Sequence, residues 1–153
     1  MFDYKMEHLF SYRATLQAPV EMIGPVPEGL RMNFYVTGGA ITGGRIGGKL
    51  RPVGGDWFLV RRDGVGELDV RATIETMDGA LLDVSYRGLG DLGPEGYDRF
   101  LRGELPRTLP LRTTPRVRTA HPDYQWLQRL LCVGVGEVDL ERFEVASDVY
   151  AVR

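Results

Sequence analysis

The chain has 153 residues, a length that fits one domain able to bury its own core without disulfides or metal ions. Charged residues make up 26% and hydrophobic residues 43%, which excludes a disordered or fibrous protein. The 19 Lys and Arg against 21 Asp and Glu give a net charge of −2, so no nucleic-acid partner is predicted.

The single cysteine and the absence of long apolar runs bear on where the protein works. Cys132 excludes an intramolecular disulfide, and its apolar neighbours predict a buried thiol. No apolar span reaches transmembrane length, and the first residues lack the apolar stretch of a signal peptide. A cytoplasmic protein without membrane contact is expected.

Short β-rich stretches follow one another along the chain and predict about eight or nine strands. They cover about residues 6–17, 30–37, 40–50, 56–62, 65–77, 80–88, 111–119, 129–138 and 141–152. One short helix is predicted from Pro94 to Arg102, too short to cover a sheet. A sheet that must bury its own face predicts a single all-β domain over residues 1–153. The expected form is a closed or nearly closed antiparallel β-barrel with this one short helix.

Two Asp-Gly pairs, at positions 63–64 and 78–79, join strand-like stretches and predict hairpin turns. If each forms a two-residue loop, Arg71 lies opposite both Asp56 and Tyr86. One strand face then carries Asp56, Phe58, Asp69, Arg71 and Tyr86. This face either lines the lumen, leaving the other to be covered by a second copy in a homo-oligomer, or points outward and forms solvated ion pairs.

Motifs for cofactors and metals are incomplete. The pattern G-x-G-x-x-G occurs at Gly88, Gly90 and Gly93, but the following helix is too short for a dinucleotide-binding crossover. His8 and His121 are the only histidines, and no nucleophile elbow is present. No cofactor and no metal ion are therefore predicted.

The remaining candidate site is the group Asp56, Asp69, Arg71 and Tyr86. Two carboxylates beside a guanidinium can give one acid a shifted pKa, and Arg71 and Tyr86 can stabilise an enolate or phenolate. The alternative is a structural network of ion pairs that holds the barrel closed. The aromatic residues expected to wall a substrate site are Trp57, Phe58, Tyr124 and Trp126.

Several segments together resemble one family, the domain of unknown function 3237, also called uncharacterised protein family 0311. They include Gly54-Gly55-Asp56-Trp57, Glu67-Leu68-Asp69-Val70-Arg71, Arg112-Thr113-Thr114-Pro115-Arg116 and Tyr124-Gln125-Trp126-Leu127. The resemblance covers nearly the whole chain and implies a compact antiparallel β-barrel in bacterial cytoplasmic proteins. Gln128 stands where the family pattern has Asn, which implies a difference in substrate preference if that amide touches a ligand.

Three functions fit these observations. The first is a cofactor-independent isomerase, cyclase or lyase that moves a proton on an apolar, carbonyl-bearing or aromatic small molecule in the lumen. The second is a lipocalin-like barrel that binds a small apolar ligand without chemistry. The third is a structural or interaction barrel filled by its own side chains.

Overall fold

The fold is known from a computed structural model that describes residues 1–153. Ten strands and two short helices follow in chain order: β1 (Met6–Leu16), β2 (Glu21–Val26), β3 (Gly29–Thr42), β4 (Gly48–Leu50), β5 (Gly55–Val60), β6 (Val65–Thr76), β7 (Leu81–Asp91), α1 (Gly96–Leu101), β8 (Thr108–Arg118), a 3₁₀ helix (Pro122–Arg129), β9 (Cys132–Asp139) and β10 (Glu144–Val152).

Eight of the strands close into an antiparallel barrel. Its order is β1, β10, β9, β8, β7, β6, β5 and β3, and β3 pairs with β1 to complete the circle. The short strand β4 bridges β3 and β6, while β2 is added to the outside edge of β3. The predicted all-β barrel with one short α-helix is therefore confirmed.

Both Asp-Gly hairpins have three-residue loops, so the predicted two-residue loops and their registers are wrong. In the first hairpin the Arg61 N–H donates to the Val65 carbonyl, and Gly64 has a φ of 87°. In the second, the Thr76 N–H donates to the Ala80 carbonyl. A type I turn followed by a left-handed glycine produces this loop, and its extra residue shifts the pairing by one position.

The one-residue shift reverses the face of β6 relative to its neighbours, because side chains alternate along a strand. Arg71 lies opposite Gly55 and Ser85, whereas Val70 lies opposite Asp56 and Tyr86. The inward face consequently carries Val70 together with Asp56 and Tyr86, and Arg71 points outward.

Two apolar clusters fill the barrel, and each helix covers one of them. The first cluster includes Leu30, Val60 and Leu109 and takes in Phe100 of α1. The second includes Ile74, Leu82 and Val149 and takes in Leu127 of the 3₁₀ helix. Each end of the lumen is therefore closed by a short helix. Neither helix has the length and hydrophobicity needed to cross a membrane.

The predicted buried thiol is confirmed. Cys132 lies in the second apolar cluster, and burial raises the pKa of its thiol. Because the thiolate is the nucleophilic form, this environment favours a structural role for the side chain.

Candidate functional site

Asp56 is the one carboxylate that points into the lumen. On β5 it shares the inward face with Phe58 and Val60, and its backbone is paired with Phe34 on one side and Val70 on the other. All of these neighbours are apolar. An acidic side chain at this position is therefore surrounded by apolar groups and only partly exposed to solvent.

The surroundings of Asp56 change its acidity. Burial raises the pKa of the carboxyl group from 3.8 to about 7, because the charged form loses its hydration. The Asp69 N–H, which donates to Asp56 Oδ1 at 2.9 Å, and the Arg31 charge lower the pKa in part, while the Asp69 charge raises it. Asp56 is thus able both to accept and to release a proton near neutral pH.

The wall of the barrel is opened locally beside Asp56. β5 and β6 are paired at Asp56 and Val70 and again at Leu59 and Glu67, but not in between. In this gap the Asp69 N–H donates to the Asp56 carboxylate. The Trp57 carbonyl accepts a hydrogen bond from Arg31 Nη1 at 2.5 Å. Side chains thus satisfy backbone groups that a regular ladder would pair, as buried polar groups require.

A pair of tyrosine hydroxyls lies deeper in the lumen. The phenol oxygens of Tyr12 on β1 and Tyr86 on β7 are 3.0 Å apart, within hydrogen-bonding distance. Burial raises the pKa of both phenols above their usual value, and a hydrogen bond with Ser147 counters this in part for Tyr12. Both tyrosines are therefore neutral hydrogen-bond donors at physiological pH.

Asp56 and Tyr86 line the same cavity of about 50 Å³. The other residues that line it are apolar: Ala14, Leu16, Phe34, Val36, Gly55, Phe58, Leu68, Val70, Phe100, Leu109, Leu111, Val138, Leu140 and Val145. For comparison, a dry cavity of about 150 Å³ accommodates benzene. The cavity is about one third of that size, so a ligand with an aromatic ring must displace side chains.

The prediction that Asp56, Asp69, Arg71 and Tyr86 share one face is wrong. Only Asp56 and Tyr86 point inward, because the longer hairpin loops shift β6 by one residue. Asp69 forms an ion pair with Arg87 on the outer surface, with 3.2 Å between charged atoms, and the Arg71 side chain is exposed. Asp69 still contacts the site through its backbone N–H.

Only one of the four aromatic residues predicted to line the substrate site lies beside Asp56. Phe58 is buried and lines the cavity as expected. Trp57, the next residue on β5, faces outward and is 38% exposed. Tyr124 and Trp126 pack against the second apolar cluster instead of the Asp56 cavity. The expected placement around the substrate is therefore wrong for Trp57, Tyr124 and Trp126.

Tyr124, Trp126 and Gln128 instead hold the 3₁₀ helix in place. The Tyr124 hydroxyl donates to Asp78 at 2.9 Å, and the Arg45 guanidinium lies 3.7 Å from the centre of a Trp126 ring. Gln128 is exposed, and its Nε2 donates to the Thr119 carbonyl at 3.2 Å. The family-like segment 124–128 therefore forms the cover over the second end of the barrel.

One group of potential metal ligands lies at this cover. Side-chain ligand atoms of Asp78, His121 and Asp123 are all within 4.8 Å of one another. The Asp123 N–H donates to His121 Nδ1, and the hydroxyls of Thr76 and Tyr124 donate to Asp78. These hydrogen bonds explain the group as the anchor between the β6–β7 turn and the 3₁₀ helix.

Sequence reasoning missed Tyr12. No tight turn fixes the register of β1, because β1 pairs with β10, at the far end of the chain, and with the distant part of β3. The alternation of buried and exposed side chains in β1 is also interrupted by a bulge between His8 and Phe10. The only available signal was its aromatic residue type.

Comparison with known proteins identifies the family. The family model described as "Protein of unknown function (DUF3237)" matches residues 4–152. This chain belongs to that family. The UPF0311 protein of Rhodopseudomonas palustris is 34% identical over 149 residues, which cover 95% of each chain.

Solved structures share the fold. A protein of unknown function from Clostridium acetobutylicum superposes with a TM-score of 0.87 at 27% identity, covering 99% of this chain and all of that one. A chain described as an enzyme from Penicillium herquei has a TM-score of 0.74 at 19% identity and covers 100% of this chain and 97% of its own. At that identity the likeness concerns the fold alone.

Proposed function

We propose that the protein is a cofactor-independent enzyme that transfers a proton within a small, apolar, carbonyl-bearing or phenolic substrate held in the lumen. The observation that carries the proposal is Asp56, whose carboxyl group faces an apolar cavity and has a pKa of about 7. A neutral amide at this position could accept the Asp69 N–H equally well, whereas a carboxylate adds the cost of burying a charge. General acid–base catalysis, in contrast, works best when the pKa lies near the operating pH.

The geometry assigns a role to each inward polar group. Ionised Asp56 takes a proton from the carbon next to the substrate carbonyl. The electron pair of that C–H bond forms a C=C bond, and the π pair of the C=O bond moves to the carbonyl oxygen. The Tyr86 hydroxyl donates a hydrogen bond to the resulting enolate oxygen, and Tyr12 orients Tyr86 through their contact at 3.0 Å. Asp56 then returns the proton to a different atom of the enolate. The sequence of steps is an isomerisation and needs no oxidant or reductant.

The outward side chains do not contact the reacting atoms. Asp69 forms its ion pair on the outer surface, and Arg71 is exposed there. The Asp69 backbone N–H contributes by fixing the orientation of the Asp56 carboxylate. A protein from Penicillium herquei that shares the fold is described as an enzyme, so the architecture is compatible with catalysis.

A barrel that only binds a small apolar ligand is the second candidate. The apolar lining of the cavity fits either function, but a pure carrier has no use for a carboxyl group with a raised pKa.

The test follows exchange of substrate protons with deuterium from solvent. Ketones that raise the melting temperature of the protein are incubated with it in D₂O, and exchange of the C–H protons next to their carbonyl group is measured by NMR. Wild-type protein should accelerate the exchange, and Asp56→Asn should slow it by about 10²- to 10⁴-fold.

Asp83→Asn is the matched control, because Asp83 is an exposed carboxylate on β7 that adds nothing to the charges and hydrogen bonds around Asp56. It should exchange at nearly the wild-type rate. Bound ligands whose protons do not exchange faster with wild type than with Asp56→Asn would support the carrier function instead.

A further inference from the structure

A second cavity of about 40 Å³ lies next to the one that contains Asp56. Apart from the two tyrosines it is entirely apolar, with a lining of Phe10, Tyr12, Ala14, Val36, Ile41, Leu50, Val70, Ala72, Ile74, Val84, Tyr86, Pro115 and Val149. It contains no charged side chain. The proposed chemistry makes no use of this space.

The two cavities are adjacent. Ala14, Val36, Val70 and Tyr86 line both of them. None of these four side chains is charged. Displacement of these side chains by a ligand would join the two spaces into one elongated chamber.

We propose that the lumen takes a single elongated ligand, with its carbonyl or phenolic end beside Asp56 and Tyr86 and an unbranched alkyl tail in the second cavity. This inference rests on the proposed function for the orientation of the ligand. Asp56 lies only in the first cavity, so the polar end is held there. A polar tail is rejected, since the far walls at Leu50, Ile74 and Val149 offer it no hydrogen bond.

Residue 72 determines the length of tail that fits. Ala72 lines the second cavity but not the first, and its side chain is a single methyl group. Val84, on the neighbouring strand, is its paired residue and lines the same cavity. A larger residue at position 72 shortens the chamber, and a smaller residue at position 84 lengthens it.

The experiment uses phenol and the 4-alkylphenols from methyl to pentyl as probes, with dissociation constants measured by calorimetry. For wild type, affinity should rise by about fourfold per methylene group until the second cavity is full. Ala72→Leu should stop this rise at a shorter chain, with phenol itself bound within about twofold of wild type. Val84→Ala should extend the rise to longer chains, and it keeps the test valid if the larger residue at position 72 prevents folding.

Thr73→Leu is the control, because it introduces the same side chain at the next residue of β6, which points outward. It should leave the dependence on chain length unchanged. Affinity that does not vary with chain length, equal loss for all probes in Ala72→Leu, or no binding of any probe would overturn the proposal.

The variant Asp56→Asn distinguishes failure of this proposal from failure of the proposed function. Suppose that the affinity of wild type depends on the length of the alkyl chain, but that wild type and Asp56→Asn exchange substrate protons at the same rate. This result would support the elongated chamber and contradict the catalytic role of Asp56.

Discussion

The phenol oxygens of Tyr12 and Tyr86 lie 3.0 Å apart, although the two residues are separated by 74 positions in the chain. Their strands, β1 and β7, are not neighbours in the sheet, so this hydrogen bond crosses the lumen. It lies between the two apolar clusters and beside both cavities, since Tyr86 lines each of them. The bond therefore links opposite walls at the point where a ligand would enter the second cavity.

Removing either hydroxyl of this pair should destabilise the protein. Tyr12→Phe leaves the Tyr86 hydroxyl without its partner, which costs about 1–3 kcal/mol in the free energy of unfolding. Tyr86→Phe should cost less, because Tyr12 keeps its hydrogen bond with Ser147. The double variant should cost less than the sum of the two single changes, because the hydrogen bond between the two phenols is lost only once. Urea denaturation measures all three. Tyr150→Phe is the control, since the Tyr150 hydroxyl makes no hydrogen bond, and strictly additive effects at positions 12 and 86 would show that the pair is not coupled.

The ionisation of Asp56 should make stability depend on pH. Its pKa is raised in the folded state from 3.8 to about 7, so the folded protein binds more protons than the unfolded chain between these values. Stability is therefore highest below about pH 4 with respect to this group, and falls by up to about 4 kcal/mol as the pH rises to 7. Asp56→Asn removes this loss and should be more stable than wild type at pH 8, while the two proteins should be similar at pH 4.

Urea denaturation across this pH range checks the prediction. Asp83→Asn, with its side chain exposed on β7 and away from Asp56, should retain the wild-type dependence. Parallel curves for wild type and Asp56→Asn would mean that the carboxyl group is not buried as the structure places it.

The two hairpin glycines should respond differently to the same substitution. Gly64 and Gly79 have nearly the same left-handed conformation, with φ of 87° and 85°. A methyl group on Gly79 would meet open space, so Gly79→Ala should cost only the conformational strain of about 1 kcal/mol. A methyl group on Gly64 would lie 1.6 Å from the Gly93 carbonyl oxygen, and Gly64→Ala should cost about 3 kcal/mol or more. Thermal unfolding of the two variants gives the comparison, and equal losses would contradict the close approach of the two backbones.

The cover formed by the 3₁₀ helix should depend on one leucine. Leu127 is 2% exposed in the second apolar cluster, so Leu127→Ala should lower the free energy of unfolding by about 2–5 kcal/mol. Leu131 lies four residues further along and is 69% exposed, so Leu131→Ala should change it by less than about 0.5 kcal/mol. Chemical denaturation distinguishes the two, and a small loss at position 127 would show that the helix does not close the barrel.

The sequence was informative wherever local chemistry determines local structure. Alternating residues and Gly-rich turns led to the all-β barrel, and the residue pattern led to the family. The hairpins themselves were also correct. Their loop length was not predictable from Asp-Gly alone, because the same dipeptide occurs in two-residue loops and at the end of three-residue loops.

The length of these loops determined which side chains of β6 face the lumen. With side chains alternating along a strand, one extra loop residue moved Arg71 and Asp69 from the lumen to the surface. Asp56 and Tyr86 lie on β5 and β7, and both are opposite Val70 of β6. These two residues therefore still share one face, as predicted. Tyr12 lay beyond local reasoning, since its partners come from the two ends of the chain and across the lumen.

The gap in the β5–β6 ladder also creates a spectroscopic reporter. The Asp69 amide proton is directed at the Asp56 carboxylate instead of at a backbone carbonyl. Its NMR chemical shift should follow the charge of that carboxylate, whereas ordinary ladder amides nearby remain constant. A single resonance thereby reports, without any substrate, the protonation state of a group that is hidden inside the barrel.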